Sequence, residues 1–438
     1  MLRRLDLRGS ARPAADLPRP EVAGAGPVAA VAAILDDVRA RGDVALVELT
    51  ERFDGVRLTD VRVPPEAIAA ARDAAAPELV AALEVARDAI DAFHRSQLRP
   101  PHTFERGGVT IACTDSPVER AGVYVPGGRG AYPSTVLMTA VPARVAGVGQ
   151  IVLCVPPDRA TGAVAPAVLT AAAVAGVDEV YAVGGAQAIG AMAYGTPSIA
   201  PVDVIVGPGN VYVALAKRAV AGVVGVPSAF AGPSEVVVVA DGTARPDFAA
   251  IDVVVQAEHG PDGLAWLVTW DPAVADAVCD EIAAYVATSP RRDEITSTFA
   301  EGGYAVVVDG PDAALAVVDA IAPEHLQLMC DGAEALASRV RNAGAVFCGN
   351  WSPASVGDYA AGPSHVLPTD GTARFSSALT VADFVRQHHV VTLTPEAMAD
   401  VGPTVELLAE VEGFAAHAAS VRRRLDVLDG RDPAGSAP

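Results

Sequence analysis

Three short apolar segments decide the fold: Gln150-Ile-Val-Leu-Cys-Val155, Glu179-Val-Tyr-Ala-Val183 and Val202-Asp-Val-Ile-Val206. A helical pattern over residues 165–175 separates the first two segments, and Gly184-Gly185 opens another helix before the third. Apolar strands of this length, joined by helices, are typical of a parallel sheet that helices cover on both faces. The stretch therefore predicts an α/β fold.

The same alternation recurs in the second half of the chain. Strand patterns lie at residues 235–240, 264–269, 304–308, 325–329 and 345–348, with helical patterns between them. We therefore predict two incomplete Rossmann-like parallel-sheet domains, one inserted in the other. The predicted boundaries are an N-terminal arm over 1–27, a first α/β domain over 28–123 and 235–379, an inserted second α/β domain over 124–234, and a helical C-terminal segment over 380–438.

Composition limits the classes of function. A chain of 438 residues is too long for one core, and its formal net charge of −21 disfavours binding to nucleic acid or to an anionic membrane surface. Residues 180–202 form a long uncharged run, but glycines and prolines interrupt it, and Arg3 and Arg4 precede no apolar signal segment. The five cysteines show no Cys-x-x-Cys spacing, which favours reduced core residues. We expect a soluble, cytoplasmic protein.

Acids and histidines are concentrated in two turns between residues 322 and 369: Ala-Pro-Glu324-His325-Leu and Gly-Asp358-Tyr-Ala-Ala-Gly-Pro-Ser-His365. Such groups are costly to bury unless they are paired or bind a metal, so they predict a reaction centre. A glutamate that activates water beside an imidazole that accepts a proton is a natural division of labour. Adjacent strand residues point to opposite faces, so both can act together only from a turn at the strand mouth. A surface Glu-His pair is the alternative.

A metal site is the second hypothesis. Gln256 and His259 are three residues apart at the end of a predicted helix and share one face of it. With Asp358 and either His365 or His417 they would form an oxygen and nitrogen ligand set suited to Zn²⁺, Mn²⁺ or Co²⁺. A polar helix end is the alternative interpretation.

A third pattern concerns glycine turns. Gly184-Gly185-Ala-Gln187 and Gly207-Pro-Gly209-Asn210 each follow a strand and open a helix, where free backbone N–H groups favour anionic groups. Tyr124-Val-Pro-Gly127-Gly128 precedes the first strand run in the same way. No turn has the Gly-x-Gly-x-x-Gly spacing, so spacing alone indicates phosphate binding only weakly and NAD more weakly. Ala-Gly-Pro-Ser234-Glu lies at the switch between the two sheets, where either a ligand crevice or a simple turn is expected.

Taken in order, these segments resemble the histidinol dehydrogenase family over nearly the whole chain. The matching motifs are Tyr124-Val-Pro-Gly-Gly, Gly-Gly-Ala-Gln187-Ala-Ile, Gly-Pro-Gly-Asn210, Ala-Gly-Pro-Ser234-Glu, Gln256-Ala-Glu-His259-Gly, Ala-Pro-Glu324-His325-Leu, Gly-Asp358-Tyr, Gly-Pro-Ser-His365-Val-Leu-Pro-Thr and Glu412-Gly-Phe-Ala-Ala-His417-Ala. Each motif alone is weak, whereas the ordered set is specific.

The resemblance implies a zinc-dependent homodimer that oxidises L-histidinol through L-histidinaldehyde to L-histidine, the last step of histidine biosynthesis, with two NAD⁺. It implies His325 as general base and Glu324 as the group that activates water. The implied zinc ligands are Gln256, His259, Asp358 and His417, the last from the other subunit. These four residues and Glu324 also match substrate contacts, as do Ser234, His365 and Glu412. The implied NAD contacts are Tyr124, Gln187 and Asn210.

Two departures from the family pattern bear on the substrate pocket. Ser228-Ala229-Phe230 replaces an expected Asp-Met-Pro type of segment, and Ser364 stands where Asn is expected. Three alternatives stay open at this point: a zinc-dependent hydrolase, a related enzyme that oxidises another amino alcohol, and a binding or regulatory protein that has kept the fold.

Overall fold

The computed structural model describes residues 1–18, 26–128, 130–228, 234–259 and 263–431, apart from the side chain of His259. The chain divides into two compact units. The first consists of Met1–Gln97 and Val118–Phe384, and the second of Leu98–Pro117 and the chain from Val385 onward. Among the described residues, no helix combines the length and the apolar character needed to cross a bilayer.

The strands are short, as the apolar segments predict. In chain order they are β1 (Arg3–Asp6), β2 (Arg62–Val63), β3 (His102–Arg106), β4 (Val109–Pro117), β5 (Arg120–Tyr124), β6 (Gln150–Cys154), β7 (Glu179–Tyr181), β8 (Val204–Val206), β9 (Glu235–Ala240), β10 (Leu264–Thr269), β11 (Gly303–Val307), β12 (His325–Met329), β13 (Ala345–Cys348) and β14 (Val385–Leu393).

Many of the helices begin with proline at the first position, where its fixed φ suits a helix start. The helices are α1 (Val28–Arg41), α2 (Asp43–Asp54), α3 (Pro65–Ala74), α4 (Pro77–Arg95), α5 (Pro133–Ala146), α6 (Pro166–Ala175), α7 (Gly185–Tyr194), α8 (Val211–Val220), α9 (Pro246–Val255), α10 (Pro272–Thr288), α11 (Arg292–Gly302), α12 (Pro311–Ile321), α13 (Ala333–Ala337), α14 (Ala354–Tyr359), α15 (Pro395–Val411) and α16 (Ala415–Leu428).

The larger sheet of the first unit has six parallel strands in the order β1-β11-β10-β9-β12-β13. Its two faces carry separate apolar cores, with Val236 and Val238 of β9 on one face and Val237 and Val239 on the other. Helices α9, α10 and α11 contribute to the first core, and α12 and α13 to the second. The predicted parallel sheet with two covered faces is therefore confirmed.

The N-terminal residues are part of this sheet, which corrects the prediction of an arm over 1–27. β1 forms a parallel edge strand against β11, with Leu5 in register with Val306. A four-residue strand that begins Arg3-Arg4 has little apolar pattern of its own, so only its pairing partner identifies it. Residues 19–25 of the predicted arm lie outside the described residues.

The smaller sheet of the first unit has five strands in the order β2-β7-β6-β5-β8, parallel except for the β2–β7 pair. Helices α1 and α2 share a core with α7 and α8 on this sheet. Residues 28–54 therefore pack with the inserted sheet, whereas the sequence pattern grouped 28–123 with 235–379. The apolar stripe of a helix shows that the helix is covered, but not which sheet covers it.

The second unit contains a three-stranded antiparallel sheet, β14-β4-β3, and the helical pair α15 and α16. The two helices confirm the predicted helical C-terminal segment, but β14 precedes them within residues 380–438. β3 and most of β14 are exposed to solvent, which leaves no buried face and hence no clear alternation in the sequence.

Candidate active site

Glu324 and His325 lie where β12 begins. His325 is the first residue of the strand, and Glu324 lies in the turn between α12 and the strand. Ala322 in that turn has a φ of 53°, a conformation that non-glycine residues adopt at a cost and that occurs frequently at functional sites. The two side chains are buried, and Oε2 of Glu324 is 3.7 Å from Nδ1 of His325. The two residues therefore lie in a turn at the start of a strand, which is the position they need in order to act together.

The imidazole of His325 lies between two residues that are distant in sequence. Nε2 of Gln256 is 3.3 Å from Nδ1 of His325, and Oδ1 of Asp358 is 3.1 Å from Nε2. An amide nitrogen only donates and a carboxylate only accepts, so these partners assign the ring proton to Nε2 and a lone pair to Nδ1. Nδ1 is thus the atom of His325 that can accept a proton.

The electrostatics of the pair suit proton transfer near neutral pH. Burial raises the pKa of Glu324 to about 7, against the opposing effect of His325. Burial lowers the pKa of His325, but the negative charges of Glu324 and Asp358 outweigh it and leave that pKa above its ordinary value. A buried carboxyl group and an imidazole whose pKa values are both perturbed by burial and by neighbouring charges are candidates for an acid–base site.

His365 joins the same cluster through Asp358. Its Nδ1 donates to the backbone oxygen of Asp358 at 2.9 Å, and its Nε2 is 3.1 Å from Oγ1 of Thr135 in α5. The sequence pattern did not single out Thr135, because a threonine near a helix start carries no signal for a partner 230 residues away.

The predicted metal ligands divide into three groups. Gln256 and Asp358 contact the same imidazole, so the structure brings these two oxygen ligands together. The side chain of His259 lies outside the described residues, and His417 belongs to the second unit. Among the described side chains, no group of three or more His, Cys, Asp and Glu residues could hold a metal ion. The amide and carboxylate oxygens beside an imidazole nevertheless form a donor set that fits Zn²⁺.

Glu412 and His417 lie at the junction of α15 and α16. Gly413, with a φ of 78°, separates the two helices, so the residues do not share one continuous helix. An unbroken helix would have placed them roughly 140° apart. Both side chains are exposed on the second unit.

The glycine turns meet at the carboxyl edge of the five-stranded sheet. The hydroxyl of Tyr124, at the end of β5, accepts the backbone N–H of Gly185 at 3.1 Å. A Cβ on Gly207 would lie 2.1 Å from the backbone oxygen of Tyr124, so only glycine permits this approach. Asn210 caps α8, since its side-chain oxygen accepts the N–H groups of Tyr212 and Val213.

These turns fit a bound nucleotide. Gln187 is buried, and its Oε1 has no hydrogen-bond partner in the described part of the chain. An orphaned acceptor of this kind suits a ligand hydroxyl or amide. A Cβ on Gly127 or Gly184 would approach a carbon of Pro156 to 2.5 or 2.6 Å respectively, so both backbones pack too closely for a side chain.

The two departures from the family pattern have different outcomes. Ser364 is buried and donates its hydroxyl to the backbone oxygen of Met138 at 2.9 Å, which fixes the turn before His365. Ala229 and Phe230 lie outside the described residues, as do Ala231, Gly232 and Pro233. Ser234 is half-buried, and its backbone oxygen accepts the N–H of Leu264 at 3.0 Å.

The fold and these contacts define an α/β protein with a buried carboxyl–imidazole pair whose chemistry suits acid–base catalysis. Comparison with known proteins identifies the family: the histidinol dehydrogenase family model matches residues 18–425. The chain belongs to the histidinol dehydrogenase family, whose members are oxidoreductases.

Individual relatives agree with this assignment. The chain is 48% identical to a histidinol dehydrogenase of Chlorobaculum tepidum over 396 residues, which is 90% of this chain and 92% of the relative. It is 46% identical to a histidinol dehydrogenase of Thermobifida fusca over 97% of this chain and 98% of the relative. The crystal structure of histidinol dehydrogenase from Elizabethkingia anophelis superposes with a TM-score of 0.93 at 35% identity, covering 98% of this chain and 99% of the other.

Proposed function

We propose that this chain oxidises L-histidinol through L-histidinaldehyde to L-histidine, with two NAD⁺ per substrate and with zinc. The observation that carries the proposal is the position of His325, which contacts Gln256 and Asp358 while Glu324 lies beside the same ring. One buried cluster thus combines an imidazole base, the carboxyl group of Glu324 and the oxygen ligands of Gln256 and Asp358. Such a combination suits an alcohol that is oxidised twice.

The two members of the pair have different tasks. Nδ1 of His325 accepts the hydroxyl proton of the alcohol, while Asp358 holds the Nε2–H and stabilises the resulting imidazolium. In the second oxidation the carboxylate of Glu324 removes a proton from water as its oxygen adds to the aldehyde carbon, and the imidazolium of His325 returns its proton to the carbonyl oxygen, which gives the hydrate and a neutral His325. His325 then takes a hydroxyl proton of the hydrate as the second hydride leaves. Burial of the cluster protects the aldehyde from release and side reactions.

Zinc and NAD⁺ would be held by different parts of the molecule. Gln256, His259, Asp358 and a second subunit's His417 would hold Zn²⁺, which orients the amine and imidazole of the substrate when bound. Tyr124, Gln187 and Asn210 would contact NAD⁺, the hydride acceptor. Ser234, His365 and Glu412 would contact the substrate. The C-terminal segment 380–438 would complete the site of a partner in a homodimer.

The direct test is NADH formation from L-histidinol and NAD⁺ by zinc-loaded and by chelator-treated protein. We expect about two NADH per histidinol, as two successive hydride transfers require, with activity lost on chelation and restored by zinc. Activity that survives complete zinc removal would refute the metal assignment.

If no NADH forms from histidinol, assays with other substrates would separate the remaining alternatives. Turnover of a different amino alcohol would identify a related dehydrogenase. If no alcohol is oxidised, release of product from amide substrates would identify a hydrolase, and no turnover of any kind would identify a binding protein.

A further inference from the structure

Two carboxyl groups lie next to each other at the amino ends of β9 and β12. The parallel register of these strands pairs Val236 with His325, so Glu235 and Glu324, one residue earlier in each chain segment, are opposite each other. The backbone N–H of Glu235 donates to Oε2 of Glu324 at 3.0 Å. Glu235 thus contacts the carboxyl group that is proposed to activate water.

The side chain of Glu235 is held in a dry environment. It is 2% exposed, and its Oε2 has no hydrogen-bond partner among the described residues. No basic side chain in the described ranges forms an ion pair with it. Burial and the charges of Glu324 and Asp370 raise its pKa and outweigh the backbone hydrogen bonds of Glu324 and Gly371, which tie its carboxyl group to two neighbouring segments. A buried carboxyl group in such surroundings is more stable in its neutral form.

Protonation of Glu235 is compatible with ionisation of Glu324. Burial and the charge of Glu324 raise the pKa of Glu235 to about 8, while burial raises that of Glu324 to about 7. Two opposed carboxylates would repel each other, so the first proton stays on Glu235. Glu324 can then carry the negative charge that its reaction requires, with one oxygen fixed by the Glu235 N–H.

We propose that Glu235 is a positioning residue for Glu324. Its neutral, buried side chain holds the start of β9 in place, and the backbone N–H of Glu235 then orients Oε2 of Glu324. This inference rests on the proposed function, because it serves the step in which Glu324 activates water. It predicts that the side chain of Glu235 matters for oxidation of the aldehyde more than for oxidation of the alcohol.

The experiment compares the two half-reactions, with L-histidinol and L-histidinaldehyde supplied separately and NADH measured in each. Glu235→Ala keeps the backbone N–H but removes the side chain that holds this part of β9 in place. We expect kcat for the aldehyde to fall by about tenfold or more and kcat for the alcohol by less than about threefold. Glu235→Gln reproduces the neutral side chain and should keep both values within about threefold of the unmodified chain.

Val237→Ala is the matched control, because Val237 is buried on the same face of the same strand and is paired with Leu326. It should lower the thermal stability and leave the ratio of the two half-reactions unchanged. If Glu235→Ala does not fold, Glu235→Leu, which fills the site without polar groups, should show the same selective loss.

Equal losses in both half-reactions would overturn the positioning role. So would a Glu235→Gln variant as impaired as Glu235→Ala, since this would mean that an ionised carboxylate is needed. A complete absence of NADH with the unmodified chain would instead overturn the proposed function itself.

Discussion

At the scale of single residues, the position of Glu324 is set by neighbours from two strands. Its Oε2 accepts the N–H of Glu235 in β9 and lies 3.7 Å from the ring of His325 in β12. His325 is in turn held from both sides, by Gln256 and Asp358. The imidazole is therefore fixed for the first proton transfer even when the charge of Glu324 is removed.

Glu324→Gln should accordingly impair the second oxidation more than the first. An amide retains the volume and the hydrogen bond from Glu235 but cannot accept a proton from water. We expect kcat for the aldehyde to fall by about a hundredfold, and kcat for the alcohol to change by only a few fold. Stopped-flow measurement of NADH formed in each half-reaction checks this.

Glu334→Gln serves as the control for that variant, since Glu334 is an exposed carboxyl group in α13. It should leave both rates unchanged. Equal losses in the two half-reactions of Glu324→Gln would show that Glu324 does not have the assigned role.

At the scale of elements, one polar cluster joins the first residues of three adjacent strands. Arg120 of β5 donates to Gln150 of β6 at 2.6 Å and to Glu179 of β7 at 2.5 Å. Tyr181 donates to the same carboxylate at 2.8 Å. Burial raises the pKa of Glu179, but the hydrogen bonds from Arg120 and Tyr181 outweigh it and leave the pKa below its ordinary value.

Replacing Arg120 by Met should destabilise the five-stranded sheet by about 2 kcal/mol at pH 7, because the half-buried carboxylate of Glu179 loses its closest cation and keeps only Tyr181 and the more distant Arg62. In the folded protein the pKa of Glu179 is lowered from its ordinary value of 4.5. The stabilisation that the ionised Glu179 gives to the folded state is therefore complete above that value, and it is lost as the pH falls through the lowered pKa. The difference in free energy of unfolding between the two proteins should therefore be constant from pH 7 to about 5 and shrink in more acidic buffer.

Denaturant unfolding at several pH values measures this difference. Arg245→Met removes an exposed pair with Asp247 and should cost less than about 1 kcal/mol, which separates the effect of burial from that of a lost charge. A difference for Arg120→Met that persists undiminished at low pH would show that Glu179 is not the titrating partner.

At the scale of the whole molecule, the residues that we propose for the site belong to two separate units. Glu324, His325, Gln256 and Asp358 belong to the first unit, and Glu412 and His417 to the second. The exposure of the latter two on the second unit is compatible with a role in a partner's site. In a dimer with two-fold symmetry each subunit would supply the same residues to the other.

Subunit mixing tests the shared site. His417→Ala and Glu324→Gln homodimers should each be impaired. A mixed dimer would have one site with both residues intact, so an equimolar mixture should recover about a quarter of the unmodified activity if subunits pair at random. Steady-state turnover after denaturation and joint refolding measures the recovery.

Mixing Glu324→Gln with His325→Ala is the control, because both residues lie in the same unit and no combination restores a complete site. Recovery in that mixture would indicate an artefact of refolding. No recovery with His417→Ala would mean that each subunit supplies its own His417.

The sequence by itself determined most local features. It predicted the strands at 235–240, 264–269, 325–329 and 345–348 with their observed bounds. The ordered motifs also predicted the family, which the comparisons confirm. Such features depend on residues close in the chain, where alternation, glycine and proline act directly.

Only the tertiary structure decided which distant segments meet. β1 pairs with β11, and α1 and α2 cover the five-stranded sheet rather than the six-stranded one. Gln256 reaches His325 across 69 residues. Glu235, which ends a matching motif but was given no role from the sequence, lies opposite Glu324 because β9 and β12 are neighbours in the sheet. An apolar stripe or a polar turn in the sequence indicates that its residues must be covered or paired. Which residues cover or pair with them depends on long-range packing, which the sequence pattern does not contain.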